Sequence, residues 1–438
     1  MRHFFKNMKT EELYKVFREE AKGISTDTRV IKKGQIFFAL WGQHYNGNKF
    51  ATEAIEKGAS FAVIDDPAYE TDKTILVDDC LFELQALASH HRKEMKASVL
   101  AITGSNGKTT TKELISAIMS KTIKVHSTQG NLNNEIGVPL TILSAPADTE
   151  LMIIEMGANH IGEIRTLCLI AKPDYGIITN IGTAHIEGFG SFDGVVRAKA
   201  ELYEYLRKVN GVAIYNDKNK LLTEKIFKLV NRAVPYSDPT GTDLIVEALT
   251  TDVNLTVRAV YLHNRYTIQT NLFGDYNIEN IKAALAASLF LGAGMEDAVE
   301  AIKNYQPGNN RSQIKVTKNN TLICDSYNAN PTSLHMALES FSNLKEGKKM
   351  VILGDMLELG EKSEEEHLKV LKAVQLYNFN KALFVGPVYK KFASEYGLSC
   401  FPDINKLADH LKTKPVSGYH ILIKGSRGMT MEKIYDYL

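Results

Sequence analysis

The stretch Ala101-Ile-Thr-Gly-Ser-Asn-Gly-Lys-Thr-Thr-Thr111 carries the residue types that bind phosphate. Gly104 and Gly107 let the backbone turn tightly and aim N–H groups outward, Lys108 adds a positive charge, and Thr109 offers a hydroxyl to a magnesium ion. The usual loop has a glycine five residues before Gly107, where this chain has Ile102. A Gly-Lys-Thr alone is uninformative. Placed between an apolar strand pattern (99–102) and a helix pattern (112–119), it predicts nucleotide phosphate binding rather than a plain tight turn. Two more apolar runs, 151–154 and 175–179, end at Glu155 and just before His185. In an open parallel sheet the C-terminal strand ends line the ligand crevice. Three such ends would therefore deliver Lys-Thr, Glu155 and His185 to one magnesium–phosphate site. Taken singly, Glu155 reads as a solvated strand end and His185 as a satisfied polar residue. Lys199, inside a helix pattern at 192–206, reads as part of a solvated face. Thr26, Asp27, Thr28 and Arg29 form a polar turn that either caps itself or binds a polar or phosphorylated group.

The elements that must position these residues alternate strand and helix along most of the chain, which predicts α/β architecture with parallel sheets. At 438 residues the chain exceeds one hydrophobic core. Three domains are expected: a small α/β unit at 1–97, a central unit at 98–310 and a doubly wound, Rossmann-like unit at 311–438. Within the central unit, 255–261 and 266–272 alternate polar and apolar, as antiparallel strands added to the parallel core do. Asn277 and Asn280 open an apolar helix, where they either cap it or read a base. The pattern breaks at 305–311, where a hinge is expected. The loop 130–137 is rich in amides, and Lys424 to Arg427 and Asp355 end strands that face the crevice of the third unit. Lys+Arg 52 against Asp+Glu 51 gives a net charge of +1, which argues against nucleic acid and anionic lipid as partners. No apolar run is long enough to span a bilayer, and no signal-peptide core begins the chain. The scattered Cys80, Cys168, Cys324 and Cys400 lack the paired spacing of a zinc site. A cytoplasmic enzyme is expected.

Taken together, the motifs closely resemble the Mur ligase family of peptidoglycan synthesis. The resemblance spans all three units. It rests on Thr103-Gly-Ser-Asn-Gly-Lys-Thr-Thr110, Glu155-Met-Gly157, Thr179-Asn-Ile-Gly-Thr-Ala-His-Ile-Glu187, Ala198-Lys199, Asn277 with Asn280, Arg311 and Asp325. Ile102 in place of glycine is the family's own form. Gly130-Asn-Leu-Asn-Asn134, 325–333 and 353–360 look like the member that adds D-alanyl-D-alanine, and the Asp-Asn-Pro-Arg element usual in the third-residue ligase is missing.

The resemblance implies that Gly104, Ser105, Asn106, Gly107, Lys108, Thr109 and Thr110 cradle the ATP phosphates. Asn280 would lie against adenine, Asp325 against ribose, and Arg311 against the phosphates from across the hinge. Of two Mg2+ sites, Thr109 and Glu155 would hold one, and His185 with a carbamylated Lys199 the other. Ser25, Thr26, Asp27, Thr28 and Arg29 would meet the nucleotide end of UDP-N-acetylmuramoyl-tripeptide, although the family's Asp-Ser-Arg reads Asp27-Thr28-Arg29 here. The implied partners are that tripeptide and D-alanyl-D-alanine, on a monomer. The third-residue ligase, a folylpolyglutamate synthase and a non-catalytic nucleotide switch are the alternatives. Residues 1–96 speak against the folate enzyme, and Glu155, His185 and Lys199 against the switch.

Overall fold

The computed structural model describes residues 8–43, 45–182, 186–250 and 252–438. Three sheets follow one another along the chain. The first has four parallel strands, in order Ile24–Ser25, Ile36–Phe38, Phe61–Ile64 and Thr74–Leu76. The second has six parallel strands, with Ser98–Thr103 between Tyr175–Ile178 and Leu151–Glu155. Its four inner strands are near-continuous apolar runs because helices cover both faces. The third also has six strands, parallel except for the antiparallel edge strand Gln313–Val316.

The antiparallel strands of the central unit form a sheet of their own beside the parallel one: Leu244–Thr250, Thr256–Tyr261 and Asn264–Gln269. Val257, Ala259 and Tyr261 share one face, which joins the buried cluster holding Leu285 and Leu289 of the helix Asn277–Phe290. Leu244–Thr250 has no counterpart among the strands expected from sequence. Cys80, Cys168 and Cys324 are buried free thiols, as small core residues would be. No described helix is long and apolar enough to cross a membrane.

Parallel pairing sets the ends of Ser98–Thr103, Leu151–Glu155 and Tyr175–Ile178 side by side on one edge. The register pairs Ile102 with Glu155 and Thr103 with Ile178, so the phosphate loop, Glu155 and Thr179 start from one line.

Candidate active site

The helix after the loop runs Lys108–Met119 and so begins ahead of the apolar pattern at 112. Thr109, Thr110 and Thr111 make poor helix signals because β-branching restricts their χ1, yet all three are buried here. Two are also tied down: Thr109 Oγ1 donates to Glu155 Oε2 (2.8 Å) and Thr111 Oγ1 to Asn280 Oδ1 (3.2 Å). Gly104 (φ +142°) and Gly107 (φ +81°) are required. A Cβ would fall 2.0 Å from Thr179 Oγ1 at the first and 2.2 Å from Asn280 Oδ1 at the second.

Lys108 folds back so that Nζ donates to the Gly104 carbonyl (2.7 Å). Desolvation pulls its pKa down, Glu155 opposes that shift, and Arg311 adds to it. Glu155 is 1% exposed. One of its oxygens accepts from Thr109, and the other accepts from Asn133 Nδ2 (2.8 Å). Asn133 escaped assignment from sequence. The only signal was the amide-rich loop, whose Asn133 carbonyl also takes the Gly157 N–H (2.7 Å).

Lys199 does not lie on a solvated face. It is 3% exposed, with Nζ 5.4 Å from the centroid of the Phe189 ring. Burial and then Lys108 lower its pKa to about 7, against the pull of Glu163 and Glu201. The shift favours the uncharged amine over the ammonium. Glu201 is spent on the Gly162 and Arg165 N–H groups (2.6 and 2.9 Å). His185 lies outside the described residues.

Neither Asn277 nor Asn280 caps its helix, whose N-cap is Tyr276. Asn277 Nδ2 donates to the Phe273 carbonyl (2.7 Å) and to Ser312 Oγ (3.1 Å), bridging to the next unit. Asn280 Nδ2 donates to Asn277 Oδ1 (2.8 Å), while its own Oδ1 abuts Gly107. Arg311 stacks on Tyr327, with Cζ 3.6 Å from the ring centroid, and its Nε is buried without a partner among the described residues. A phosphate oxygen would satisfy that N–H. Nothing in the sequence singled out Tyr327.

Asp325 Oδ1 accepts from the Ser312 N–H (3.0 Å) and Oδ2 pairs with Lys424 Nζ (2.7 Å). Lys424, grouped by sequence with crevice-facing residues, is thus consumed by Asp325 and by the Asn328 carbonyl (3.2 Å). Asp355 is spent too: it is fully buried and accepts from the Val388 and Tyr389 N–H groups (2.8 and 3.0 Å).

In the first unit, Ser25, Thr26 and Asp27 line a cleft of about 590 Å³ whose far wall is Leu132, Leu140, Leu143 and Ser144 of the central unit. Asp27 holds Arg29 with both oxygens, the shortest contact being 2.6 Å. Those hydrogen bonds bring the carboxyl to about 2. The turn therefore caps itself and still faces a cleft. Thr28 turns elsewhere, its carbonyl taking Lys57 Nζ (3.3 Å).

Residues 20–130 match the "Mur ligase family, catalytic domain" model, 102–288 the "Mur ligase middle domain" and 310–427 the "Mur ligase, glutamate ligase domain". The UDP-N-acetylmuramoyl-tripeptide–D-alanyl-D-alanine ligase of Bacillus subtilis is 35% identical over 428 residues, covering 94% of this chain and 92% of the relative. A crystal structure of MurF from Acinetobacter baumannii superposes with TM-score 0.83 at 27% identity, covering 100% of this chain and 99% of that one. The MurF ligase of Thermotoga maritima in complex with ADP superposes with TM-score 0.82 at 25% identity, covering 95% and 97%. Identity at that level over nearly the whole length, on a phosphate loop built as above, makes this chain a member of the Mur ligase family.

Proposed function

We propose that this chain joins D-alanyl-D-alanine to UDP-N-acetylmuramoyl-tripeptide in an ATP-dependent reaction that passes through an acyl phosphate. The observation that carries the reading is the gathering of Lys108, Glu155, Lys199 and Arg311 around one phosphate loop. It occurs in a chain aligned end to end with relatives named for that reaction. On this reading residues 1–97 hold the UDP end, 98–310 hold ATP and 311–438 bring the dipeptide, on a cytoplasmic monomer.

A carboxylate is a poor electrophile, so the tripeptide's terminal carboxylate first attacks the γ-phosphorus and ADP leaves. The dipeptide amine then attacks the acyl carbon, phosphate departs with the C–O bond electrons, and the amine loses a proton. The loop N–H groups and Lys108 hold the β- and γ-phosphates, while Arg311 offsets the charge of two approaching anions. Asn280 braces the loop at Gly107 and faces adenine. Asp325, fixed by Lys424 and the Ser312 N–H, faces the ribose. Closure of the third unit keeps water from the acyl phosphate.

The donor set suits magnesium. Thr109 Oγ1 and Glu155 Oε2 are hard oxygens 2.8 Å apart. Among the described residues no group of three or more His, Cys, Asp or Glu side chains forms a protein-only cage. Magnesium prefers that situation, taking one or two protein oxygens and completing its shell with phosphates and water. Bound there, and at a second site on His185 and Lys199, it would neutralise the transferring phosphoryl. Burial and the nearby Lys108 favour the uncharged amine of Lys199, the form carbamylation needs, and the carbamate would supply the anionic ligand a second metal needs.

The test follows phosphate release with UDP-N-acetylmuramoyl-tripeptide, ATP and magnesium, adding D-alanyl-D-alanine or single amino acids. Release should require the dipeptide. Release driven by a diamino acid instead would assign the chain to the third-residue step.

A further inference from the structure

Asn106, in the middle of the phosphate loop, has its backbone clamped within the central unit. Its N–H donates to Asn180 Oδ1 (3.0 Å), and its carbonyl accepts from Thr179 Oγ1 (2.6 Å) and Asn180 Nδ2 (3.0 Å). Its side chain faces the other way. Oδ1 accepts from Asn330 Nδ2 (2.8 Å), across 224 residues and from the third unit. Asn330 is itself held by two local bonds. Its Oδ1 caps the helix Pro331–Ser342 by accepting the Ser333 N–H (2.8 Å), and its own N–H donates to Ser333 Oγ (3.1 Å). The cap fixes the amide plane and leaves its spare N–H aimed at the loop. Beside it, a Cβ on Gly182 would lie 3.5 Å from both Ser105 Cβ and Thr332 Oγ1, so loop, strand end and third unit meet at one glycine. Ser105 and Gly182 are also joined through the Gly182 N–H (2.9 Å).

We infer that Asn330 is a positioning residue that reads the shape of the phosphate loop, so that the third unit docks in register only on a loop set to hold nucleotide. The inference rests on the ligase reading for its consequence and on geometry for its substance. A neutral amide pair suits this place. It adds no charge next to the phosphates, and a neutral hydrogen bond between part-buried groups is weak enough to open in each cycle. Placing the reader on a helix cap makes it stiff, so a small shift of the loop is felt by the whole helix.

Serine is a good N-cap, so Asn330→Ser keeps the helix end while removing the reach to Asn106. We expect Asn330→Ser to leave the melting temperature and ATP affinity near wild type and to lower kcat about tenfold. Asn106→Ala should lose a similar factor. The double variant should be no slower than the slower single variant, because both remove one contact. Multiplied losses, or wild-type kcat in Asn330→Ser, would overturn the inference. Small-angle scattering with a non-hydrolysable ATP analogue gives an arm free of turnover. Each single variant should be more extended than wild type, and the double variant no more extended than either; equal radii throughout would also overturn it. If the wild type releases no phosphate with any acceptor, the ligase reading falls, while the scattering still decides the role of Asn330.

Discussion

Where the first sheet meets the central one the contact is apolar and stapled. Where the central unit meets the third it is a chain of amides and hydroxyls. At the first seam one buried cluster runs without a break from Leu13 to Ile226. Arg92, itself buried, crosses it. Nε donates to the Ala171 carbonyl (3.0 Å), and Nη2 donates to the Lys172 carbonyl (3.4 Å) and to Asp174 Oδ2 (3.1 Å). Lys172 answers from the other side through Nζ to Ser89 (2.8 and 2.9 Å).

At the second seam Asn309, Asn310 and Ser312 all have φ near +50°. Few non-glycine residues sit there, and such residues commonly mark a point where the chain changes direction. Bonds across this seam include Asn277 to Ser312, Tyr276 OH with Ser312 Oγ (2.8 Å), the Phe273 N–H to the Ser312 carbonyl (3.1 Å), the Tyr327 N–H to the Asn310 carbonyl (3.0 Å), Ser340 to Asp275, and Asn330 to Asn106. Phe273 reaches across it into the buried core of the third unit, 6.2 Å between its ring centroid and that of Phe341, with Val253 and Tyr276 packed beside it. A dry seam holds its two sides in one geometry, and a polar one can open because water replaces its bonds at small cost. On the proposed function, the donor carboxylate would arrive on the fixed side and the acceptor on the side that can open.

On the proposed function, Lys108, Glu155 and Lys199 act from the fixed side, and the largest effect tests this. Lys199→Ala should lower turnover by about 10²–10³-fold with both seams intact, and short carboxylates should partly restore it. In the wild type, at constant CO2 pressure, turnover should climb as pH rises through about 7, where the amine loses its proton. Full activity in Lys199→Ala would remove the carbamate from the mechanism.

Next is the staple. Arg92→Ala removes the donor to the Ala171, Lys172 and Met95 carbonyls, leaves Asp174 with the Val99 N–H alone, and should cost about 2–4 kcal/mol in denaturant unfolding. A loss well under 1 kcal/mol would put the strength of the first seam in its apolar contact alone.

Acid should act on the same side. His91 packs on Phe17 and Tyr14, 2% exposed, and burial, with Arg18 and His90 nearby, lowers its pKa to about 4. Between about 4 and 6.5 the unfolded chain takes a proton that the folded one refuses, so stability falls as pH falls through that window, by up to about 3 kcal/mol. An unchanged acid slope in His91→Gln would assign that loss to other groups.

The smallest effect belongs to the segment 305–311, where a hinge is expected. Tyr305 OH donates to Glu113 Oε2 (2.5 Å) and ties that segment to the helix after the phosphate loop. Tyr305→Phe should cost about 1 kcal/mol and speed amide exchange across 305–312 while leaving 92–99 unchanged. Equal acceleration at both places would erase the distinction between the seams.

Much of this was legible in the residues. The phosphate loop, its strand and the convergence of strand ends follow from glycine spacing, apolar runs and the crevice rule, which are local or topological. The partnerships were not legible. Lys199 looks like a charge on a helix face, because helical periodicity alone does not say what covers that face. Lys424 sits at a crevice-facing strand end but is taken up by Asp325, and Asn277, which by sequence either caps its helix or reads a base, instead bonds Ser312.

By itself, then, the sequence determined an α/β chain with a nucleotide cradle whose Lys-Thr, Glu155 and Lys199 belong to a ligase family. Tertiary structure alone decided which side chains are spent and which remain free, which seam is dry and which is polar, and that Asn330 reaches Asn106. The physical reason is range. Backbone preferences act over a few residues, whereas desolvation and hydrogen-bond satisfaction depend on whatever the fold brings within about 3 Å.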